Sequence, residues 1–334
     1  MATIYDIARV VGVTQTTVAN ALAGRPNVSA ATRQRILQCA EEMGYQPNEL
    51  ARSFKRRKTM TLALVLPTIA NPFYPEIAEE VERQAQQHDY QMLLCNTHYD
   101  FALGLQYLQR FVNRWVDGAI IMGSSMALPD ILTHSQNGLP IVLCNWQENE
   151  TPENIPQITV DYWEAGMLAA QHLIDLGHRD IAIIVDLPQQ NQRLAGFRTT
   201  LATMAIPLPS QRIGQGDSTL ESGYAAARIL LEQESPPSAI FAATDWMALG
   251  ALEAAHDLGM RVPEDLSVIG LDDIVVAAHV TPALTTIVGP KQLLAQGAAQ
   301  MLLRQLQQTD ANVPTQHVHP TLRLRHSTAP FVAR

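Results

Sequence analysis

Paired hydrogen-bonding side chains occupy one face of a short segment near the N-terminus. In QTTVANAL, residues 15–22, apolar positions at i, i+3, i+4 spacing predict a helix with one buried face. The opposite face presents three polar side chains: Gln15, Thr16 and Asn20. The amides of Gln15 and Asn20 each combine a donor and an acceptor, matching N6 and N7 of adenine in the DNA major groove, and Thr16 can contact a base edge or a thymine methyl. The segment is therefore predicted to read bases through these three residues.

A basic segment further along the chain suits the sugar–phosphate backbone of DNA. Residues 52–58, RSFKRRK, place five cationic side chains around Phe54. An apolar side chain among cations is the arrangement by which minor-groove proteins wedge open a base step. On these residues alone, a flexible basic linker with Phe54 packed on the next domain is an equal alternative. Hydroxyls near helix N-termini also bind phosphate. The predicted phosphate and minor-groove contacts are Thr14, Thr17, Arg52, Phe54, Lys55 and Arg56.

Polar and aromatic side chains follow the apolar runs of the remaining chain. Ligands of open α/β sheets bind beyond the carboxyl ends of the strands, so these positions are candidate ligand contacts. Arg193 offers a planar fork for a carboxylate, a phosphate or a vicinal diol, and Asp272 can accept from two neighbouring hydroxyls. The residues in such positions include Asn71, Phe73, Tyr74, Trp146, Asp161, Arg193, Asp217, Ser218, Thr244, Asp245, Trp246, Asp272 and Asp273. The structural alternatives are an interdomain ion pair for Arg193, a helix cap or turn for the Asp272–Asp273 pair, and lobe core for the tryptophans.

The sequence contains few of the motifs that catalytic or metal sites require. A carboxylate pair such as Asp161 with Asp272 could in principle hydrolyse a glycoside, but no GxSxG, Walker or GxGxxG motif follows a predicted strand. His317 and His319 lack ligand spacing, and the three cysteines show no CxxC pattern. The chain is therefore predicted to bind its ligand without catalytic residues, metal or cofactor.

Three short helices should position the base-reading residues. Thr3 with Asp6 predicts a capping box before the first helix, Thr14 predicts the cap of the second, and Ser29 that of the third. In the third helix, the apolar face is predicted to comprise Ile36, Leu37, Ala40 and Met43. Helix, glycine-containing turn and helix together form the helix-turn-helix pattern, whose second helix lies in the major groove.

Short apolar runs alternating with helical segments should position the ligand contacts. Runs such as TLALVLP, QMLLCN, GAIIMG and PIVLCN, then IAIIVD, SAIFAAT and LSVIGLDD, are separated by amphipathic stretches. This alternation predicts parallel sheets with helices on both faces, and its restart after PQITVDY predicts two lobes.

Charge is distributed unevenly along the 334 residues. Residues 1–60 hold nine basic and four acidic side chains, a net charge of +5, whereas the remainder carries −14. A basic head on an acidic body is expected when only one end meets nucleic acid. The N-terminus lacks a signal-peptide pattern and no apolar run approaches ~20 residues, so a cytoplasmic protein is predicted.

The motifs together resemble the LacI/GalR family of bacterial transcription regulators along essentially the whole chain. The head carries TIYDIARVVGVTQTTVANAL, VSAATRQRI, GYQPN and ARSFK, and the body carries NPFYPEIAEEVE, VDYWEAG, GHRDIAII, RLAGFRTTL, SAIFAATDWMALGAL, LGMRVPEDLSVIGLDD, PALTTI and RHSTAP. The resemblance implies a helical DNA-binding head on a two-lobed, periplasmic-binding-protein-like α/β body. It implies three domains: a head over 1–46, a hinge helix and linker over 47–59, and a body over 60–334. Within the body, lobe 1 spans about 60–159 and 290–319, and lobe 2 about 160–289 and 320–330.

The same resemblance implies a homodimer that binds a near-palindromic operator and responds to a sugar, sugar acid or nucleoside. The effector contacts it implies are Phe73, Asp161, Arg193, Thr244 and Asp272. Several positions depart from the family pattern: Ala19-Asn20 replaces a Ser-Arg-like pair, and Phe54 replaces the usual leucine wedge. Thr244 replaces an asparagine common in many members, and Ser218 replaces an aromatic residue of several members. A different operator half-site and a different effector are therefore expected.

Two competing functions remain at this point. A solute-binding receptor would share the two-lobed body, although the basic head and the missing signal speak against it. An enzyme acting on a bound sugar would show turnover. Because no heptad segment follows RHSTAP, a dimer rather than a tetramer is expected.

Overall fold

A computed structural model describes residues 2–45, 58–123, 126–146, 154–187, 190–307 and 315–332. The chain divides into two compact units, Met1–Thr59 and Met60–Arg334, called here the head and the body. The predicted hinge helix and its contacts Arg52, Phe54, Lys55 and Arg56 lie outside the described residues.

Three helices form the head: α1 (Ile4–Val11), α2 (Gln15–Leu22) and α3 (Ala30–Glu42). The predicted capping box is present, since the Thr3 side chain accepts from the Asp6 N–H and the Asp6 carboxylate accepts from the Thr3 N–H. Thr14 and Ser29 cap α2 and α3 as predicted, and Gly12 ends α1 with a left-handed φ of 75°. Local side-chain chemistry thus fixes where each helix starts.

The apolar face predicted for α3 is wrong at one position, Leu37. Ile7, Val18 and Ile36 are fully buried at the centre of the head, whereas Leu37, predicted to face inward, is 47% exposed. Cys39 is buried instead, because positions 36, 39, 40 and 43 fall at i, i+3, i+4, i+7 and Leu37 lies on a different side of the helix.

Two arginines of the basic head serve its own fold. The guanidinium of Arg35 donates to the Val11 carbonyl at 3.1 Å, and that of Arg33 donates to the Arg25 carbonyl. Both satisfy carbonyls near helix ends. The positive charge of the head is therefore partly structural.

Two six-stranded sheets build the body. The first has the order β11-β5-β4-β3-β1-β2 and contains β1 (Thr61–Leu66), β2 (Gln91–Asn96), β3 (Gly118–Met122), β4 (Ile141–Cys144), β5 (Gln157–Val160) and β11 (Gln316–Val318). The second has the order β12-β10-β9-β8-β6-β7 and contains β6 (Ile181–Val185), β7 (Ile213–Gln215), β8 (Ala239–Ala242), β9 (Ser267–Leu271), β10 (Thr285–Val288) and β12 (Thr321–Arg323). Each sheet with its helices is called a lobe below.

Helices cover the sheets. They are α4 (Phe73–Gln86), α5 (Phe101–Arg110, continued by a π-helical turn over Phe111–Trp115), α6 (Leu128–Gln136), α7 (Tyr162–Asp175), α8 (Asn191–Thr203), α9 (Leu220–Leu231), α10 (Asp245–Asp257) and α11 (Lys291–Leu306). Helix α11 packs on α4 and on β3, β4 and β5, so it belongs to the first lobe although it follows β10 of the second. Among the described residues, no helix is long and apolar enough to cross a membrane.

Burial on both faces explains the near-continuous apolar runs of the strands. In β1, Leu62 and Leu64 face one core cluster while Ala63 and Val65 face another. The predicted parallel arrangement holds for every strand pair that the structure describes except β10 with β12, which run antiparallel. β12 follows β11 of the first sheet after only two residues and joins the edge of the second sheet beside β10.

Glycines let two helix pairs of the second lobe cross at backbone contact. A Cβ at Gly196 of α8 would lie 1.9 Å from the Trp163 carbonyl oxygen of α7, and one at Gly166 would lie 2.1 Å from the Arg193 carbonyl oxygen. Gly223 and Gly250 make the equivalent approach between α9 and α10. Only glycine fits these crossings, and the first of them sets the distance between α7 and the helix that carries Arg193.

Candidate ligand cleft and nucleic-acid interface

The head presents the predicted base-reading residues along one side of α2. Gln15 and Thr16 are exposed and Asn20 is half-exposed, while Val18 and Ala21 are buried on the opposite side. Thr14 and Thr17 lie together at the start of the helix, with their hydroxyl oxygens 2.8 Å apart. Thr14 Oγ1 also accepts from the Thr17 N–H at 3.1 Å. The three predicted readers therefore share one accessible face next to a hydroxyl pair at the helix N-terminus.

Arg193 lies in the body at the carboxyl end of the second sheet. It belongs to the first turn of α8, is 7% exposed, and donates from Nη1 to the Ala243 carbonyl at 3.1 Å. Its guanidinium carbon lies 3.9 Å from the ring centroid of Tyr162, the first residue of α7. A cation stacked on an aromatic face and anchored to the backbone is held in one orientation. These two contacts hold the guanidinium of Arg193 in a fixed position.

Asp272 follows β9 directly and is 4% exposed. Burial raises the pKa of Asp272 to about 8; the Arg193 guanidinium opposes this rise and the Asp245 carboxylate reinforces it. A carboxyl group in this state can donate a hydrogen bond when neutral and accept two when ionised. The pairing of Asp272 with Arg193 therefore suits a ligand that carries both donors and acceptors.

A second buried acid, Asp245, lies near Asp272 and is hydrogen-bonded to the neighbouring strand and turn. Asp245 at the start of α10 accepts from the Thr286 hydroxyl at 2.5 Å and from the Ile274 N–H at 2.9 Å. Burial raises the pKa of Asp245 to about 7, while the hydrogen bond from Thr286 lowers it. The Ile274 bond ties α10 to the turn after β9, which carries Asp272.

The first lobe contributes aromatic residues to the same region. Phe73 and Asp272 flank Gly289, since a Cβ there would lie 4.0 Å from both Phe73 Cε2 and the Asp272 Cα. Phe73 also meets Tyr74 edge to face, with ring centroids 5.3 Å apart. Burial, and after it the neighbouring Tyr99, Tyr162 and Asp272, raise the pKa of Tyr74 well above its ordinary value. Residues of both lobes thus meet around Gly289, and we call this region the candidate cleft.

A polar network lies at the end of β6 and β7. The Ser218 hydroxyl donates to Asp186 Oδ2 at 2.9 Å and accepts from the Gln190 amide at 3.1 Å. Gln190 Oε1 in turn accepts from the Asp186 N–H at 2.9 Å. Burial raises the pKa of Asp186, and the bond from Ser218 lowers it. This network adds hydroxyl and carboxylate groups at a second edge of the cleft.

Two predicted contacts serve as helix caps. Asp161 Oδ1 accepts from the Glu164 N–H at 2.9 Å, and Thr244 Oγ1 accepts from the Met247 N–H at 3.1 Å. Thr244 is 5% exposed. The structure therefore brings Phe73, Arg193 and Asp272 together and gives Asp161 and Thr244 capping bonds at the same strand ends.

Sequence reasoning missed several cleft residues. Tyr162 and Asp186 come just after β5 and β6, so the strand-end rule could have found both. Trp146 is 1% exposed, which agrees with the alternative prediction that it belongs to the core of a lobe. Glu76 of α4 and Lys291 of α11 carry no local signal, because they pair with each other and with segments distant in sequence.

The side chains of the candidate cleft suit ligand recognition. Cys95 and Cys144 are buried and free, and burial raises the pKa of their thiols to about 11 and about 12. Neither thiol is therefore a nucleophile at neutral pH. A forked cation, a buried acid and aromatic rings instead suit a hydroxylated ring that stacks and hydrogen-bonds at its edges.

Family models match both parts of the chain. Residues 3–48 match the model of bacterial regulatory proteins, lacI family, and residues 170–328 match the periplasmic binding protein-like domain. Along 330 residues the chain is 33% identical to catabolite control protein A of Priestia megaterium, covering 98% of this chain and 99% of that protein.

Solved structures agree with these matches. The lac repressor dimer bound to operator and the anti-inducer ONPF has a TM-score of 0.88 at 25% identity, covering 98% of this chain and 99% of that one. The transcriptional regulator CelR in complex with cellobiose has a TM-score of 0.74 at 29% identity, covering 98% of this chain and 100% of that one. The similarity therefore spans the head and both lobes.

Proposed function

Since the chain belongs to the lacI family of bacterial regulatory proteins, we propose that it represses transcription by binding a palindromic operator as a homodimer under the control of a small molecule. The chain is a DNA-binding regulator and not an enzyme. It acts on chromosomal DNA, so we place it in the cytoplasm. The domains of the proposal are a DNA-binding head over residues 1–46, a hinge over 47–59 and an effector-binding, dimerising body over 60–334.

The observation that carries the effector half of the proposal is the placement of Arg193 and Asp272, both buried, at the carboxyl end of one sheet. Both side chains are more than nine-tenths buried, and Phe73 of the first lobe lies beside Gly289 together with the Asp272 backbone. A polyhydroxylated ring would hydrogen-bond to Arg193 and Asp272 through its hydroxyls and pack on the ring of Phe73. We therefore assign the effector to the sugars or their derivatives, a class supported by the cellobiose complex of the similar regulator CelR. Asp161 and Thr244 complete the proposed contact set from their capping positions.

The DNA half of the proposal rests on α2. Gln15, Thr16 and Asn20 would meet base edges in the major groove, and Thr14 and Thr17 would contact phosphates. Arg52, Lys55 and Arg56 of the hinge would add phosphate contacts, and Phe54 would enter the minor groove.

Control requires the effector to bind the two lobe arrangements unequally. A difference of ~1–3 kcal/mol between the arrangements changes operator affinity about 5- to 150-fold. Because both sheets contribute to the cleft, a bound ring would bias the angle between the lobes and hence the spacing of the two hinges in a dimer.

A thermal-shift screen of the full chain against sugars, sugar acids and nucleosides tests the effector half. We expect one class to raise the unfolding midpoint, and Arg193→Ala to abolish that rise. Arg198→Ala is the matched control, because Arg198 is an exposed arginine of the same helix. A ligand that stabilises the Arg193 variant as well as the wild type would place the effector elsewhere.

A further inference from the structure

The turn that carries Asp272 has an unusual backbone. Asp272 has a φ of 122° and Asp273 a φ of 53°, and neither is glycine. Residues other than glycine rarely adopt such a positive φ, so surrounding contacts must hold the backbone of the turn in place. Those contacts come from both lobes.

Within the second lobe, the turn is held by backbone and arginines. The Asp272 N–H donates to the Ile287 carbonyl at 2.9 Å. Arg323 and Arg325 bind the two carboxylate oxygens of Asp273 at 2.6 and 2.5 Å. These bonds fix the turn to its own sheet.

The first lobe holds the same turn through Glu76 of α4 and Lys291 of α11. Lys291 Nζ donates to the Asp272 carbonyl at 2.9 Å and also to the Asp273 carbonyl. Lys291 Nζ lies 2.8 Å from Glu76 Oε2, and Glu76 Oε1 accepts from the Val275 N–H at 2.9 Å. Two side chains of one lobe thereby satisfy three backbone groups in the turn of the other. The side chain of Lys291 is 14% exposed and that of Glu76 is 24% exposed.

We propose that Glu76 and Lys291 form an interlobe clasp that positions Asp272 and couples the cleft to the angle between the lobes. The inference rests on the proposed function, because it treats Asp272 as an effector contact. A change of lobe angle must break the clasp or drag the Asp272 turn with the first lobe. A ligand that moves Asp272 therefore also displaces α4 and α11, which are bonded to the same turn. Through the clasp, ligand binding in the cleft thus changes the position of the first lobe.

Hydrogen–deuterium exchange of the full chain tests the clasp without ligand or DNA. Glu76→Ala and Lys291→Met should speed exchange of the peptide 271–276 at least tenfold, because the turn and the Val275 amide lose their partners. Glu76→Gln should retain most of the protection, because its amide oxygen can still accept from the Val275 N–H. Arg83→Gln is the control: it breaks an exposed ion pair with Glu80 on the same helix and should leave exchange of that peptide unchanged.

Operator affinity of the same variants, measured on a DNA duplex selected by the wild type, tests the coupling. The clasp variants should change that affinity at least fivefold without any small molecule, while Arg83→Gln should not. If exchange of the peptide 271–276 is unchanged in the clasp variants, or if exchange rises equally in the core strands, then Glu76 and Lys291 do not hold the turn specifically and the clasp is refuted. Local opening with unaltered operator affinity would overturn the coupling. Failure to select any duplex would count against the proposed function, whereas the exchange measurement would still decide whether the clasp exists.

Discussion

Replacing Gly196 by alanine should destabilise the body and loosen the ligand site together. The new Cβ would lie 1.9 Å from the Trp163 carbonyl oxygen, 2.8 Å from the Trp163 carbonyl carbon and 3.2 Å from the Met167 nitrogen. All three are backbone atoms of α7, so no side-chain rotation can relieve the clash. Since ordinary contact begins near 3.4 Å, the helices must move apart by about 1.5 Å.

The cost of this displacement can be set against the gain in helix propensity. Overpacking a dense interior costs about 1–3 kcal/mol, and a clash between two backbones belongs at the upper end. Alanine is better than glycine in a helix by about 1 kcal/mol. The net loss should be about 2 kcal/mol, which corresponds to a fall of about 3–4 °C in the unfolding midpoint of a domain this large.

The same movement would pull Arg193 away from Tyr162. The present distance of 3.9 Å joins the two helices that the substitution forces apart. We expect the Gly196→Ala chain to lose both thermal stability and the ligand-induced shift of the wild type, measured by thermal and urea unfolding at one protein concentration.

Gly297→Ala is the matched control for this experiment. Gly297 also lies in a helix, but its Cβ would meet the Cδ1 tip of Ile158 at 2.3 Å rather than backbone. A small rotation can relieve that contact, so its stability should stay within about 1 kcal/mol of the wild type. A Gly196→Ala midpoint equal to that of the wild type or of Gly297→Ala would refute the reasoning about the helix crossing.

Three further outcomes are expected. Asn20→Ala should relax base preference at one operator position by about 1–3 kcal/mol, measured by competition with single-base variants, and an equal loss on all sequences would remove it as a reader. Arg56→Ala should weaken binding on every sequence and reduce the slope of log K against log salt by about one, so an unchanged slope would place it outside the interface. Because the folded-state pKa of Asp272 is raised to about 8, the folded protein binds the extra proton and this group's contribution to stability falls as pH rises from about 4 to 8. Urea midpoints at pH 5.5 and 8.5 should therefore differ less in Asp272→Asn than in the wild type, and an equal difference would show that the carboxyl is already ionised.

Local chemistry made much of the fold predictable. Thr3, Thr14 and Ser29 begin helices because each cap needs only a neighbouring N–H, and the apolar runs become strands because both faces of each sheet are buried. Leu37 was wrongly placed inside because several helical faces fit so short an apolar pattern, and tertiary packing chose among them.

Contacts between distant segments escaped prediction. The stack of Arg193 on Tyr162 depends on the Gly166–Gly196 crossing, and the clasp joins residues about 200 positions apart. The antiparallel pairing of β12 with β10 likewise joins segments that are not adjacent in the chain. Strand-end position located the cleft, whereas the partners of each side chain required the three-dimensional arrangement.

The most direct test of the account is selection of bound DNA from a random library by the purified chain, with and without sugars, sugar acids and nucleosides. We predict a palindromic consensus with a flexible pyrimidine–purine step at its centre, whose recovery changes with one class of ligand. Failure to enrich any sequence under any condition would show that the head is not a specific reader, and a consensus indifferent to every ligand that binds the body would contradict effector control.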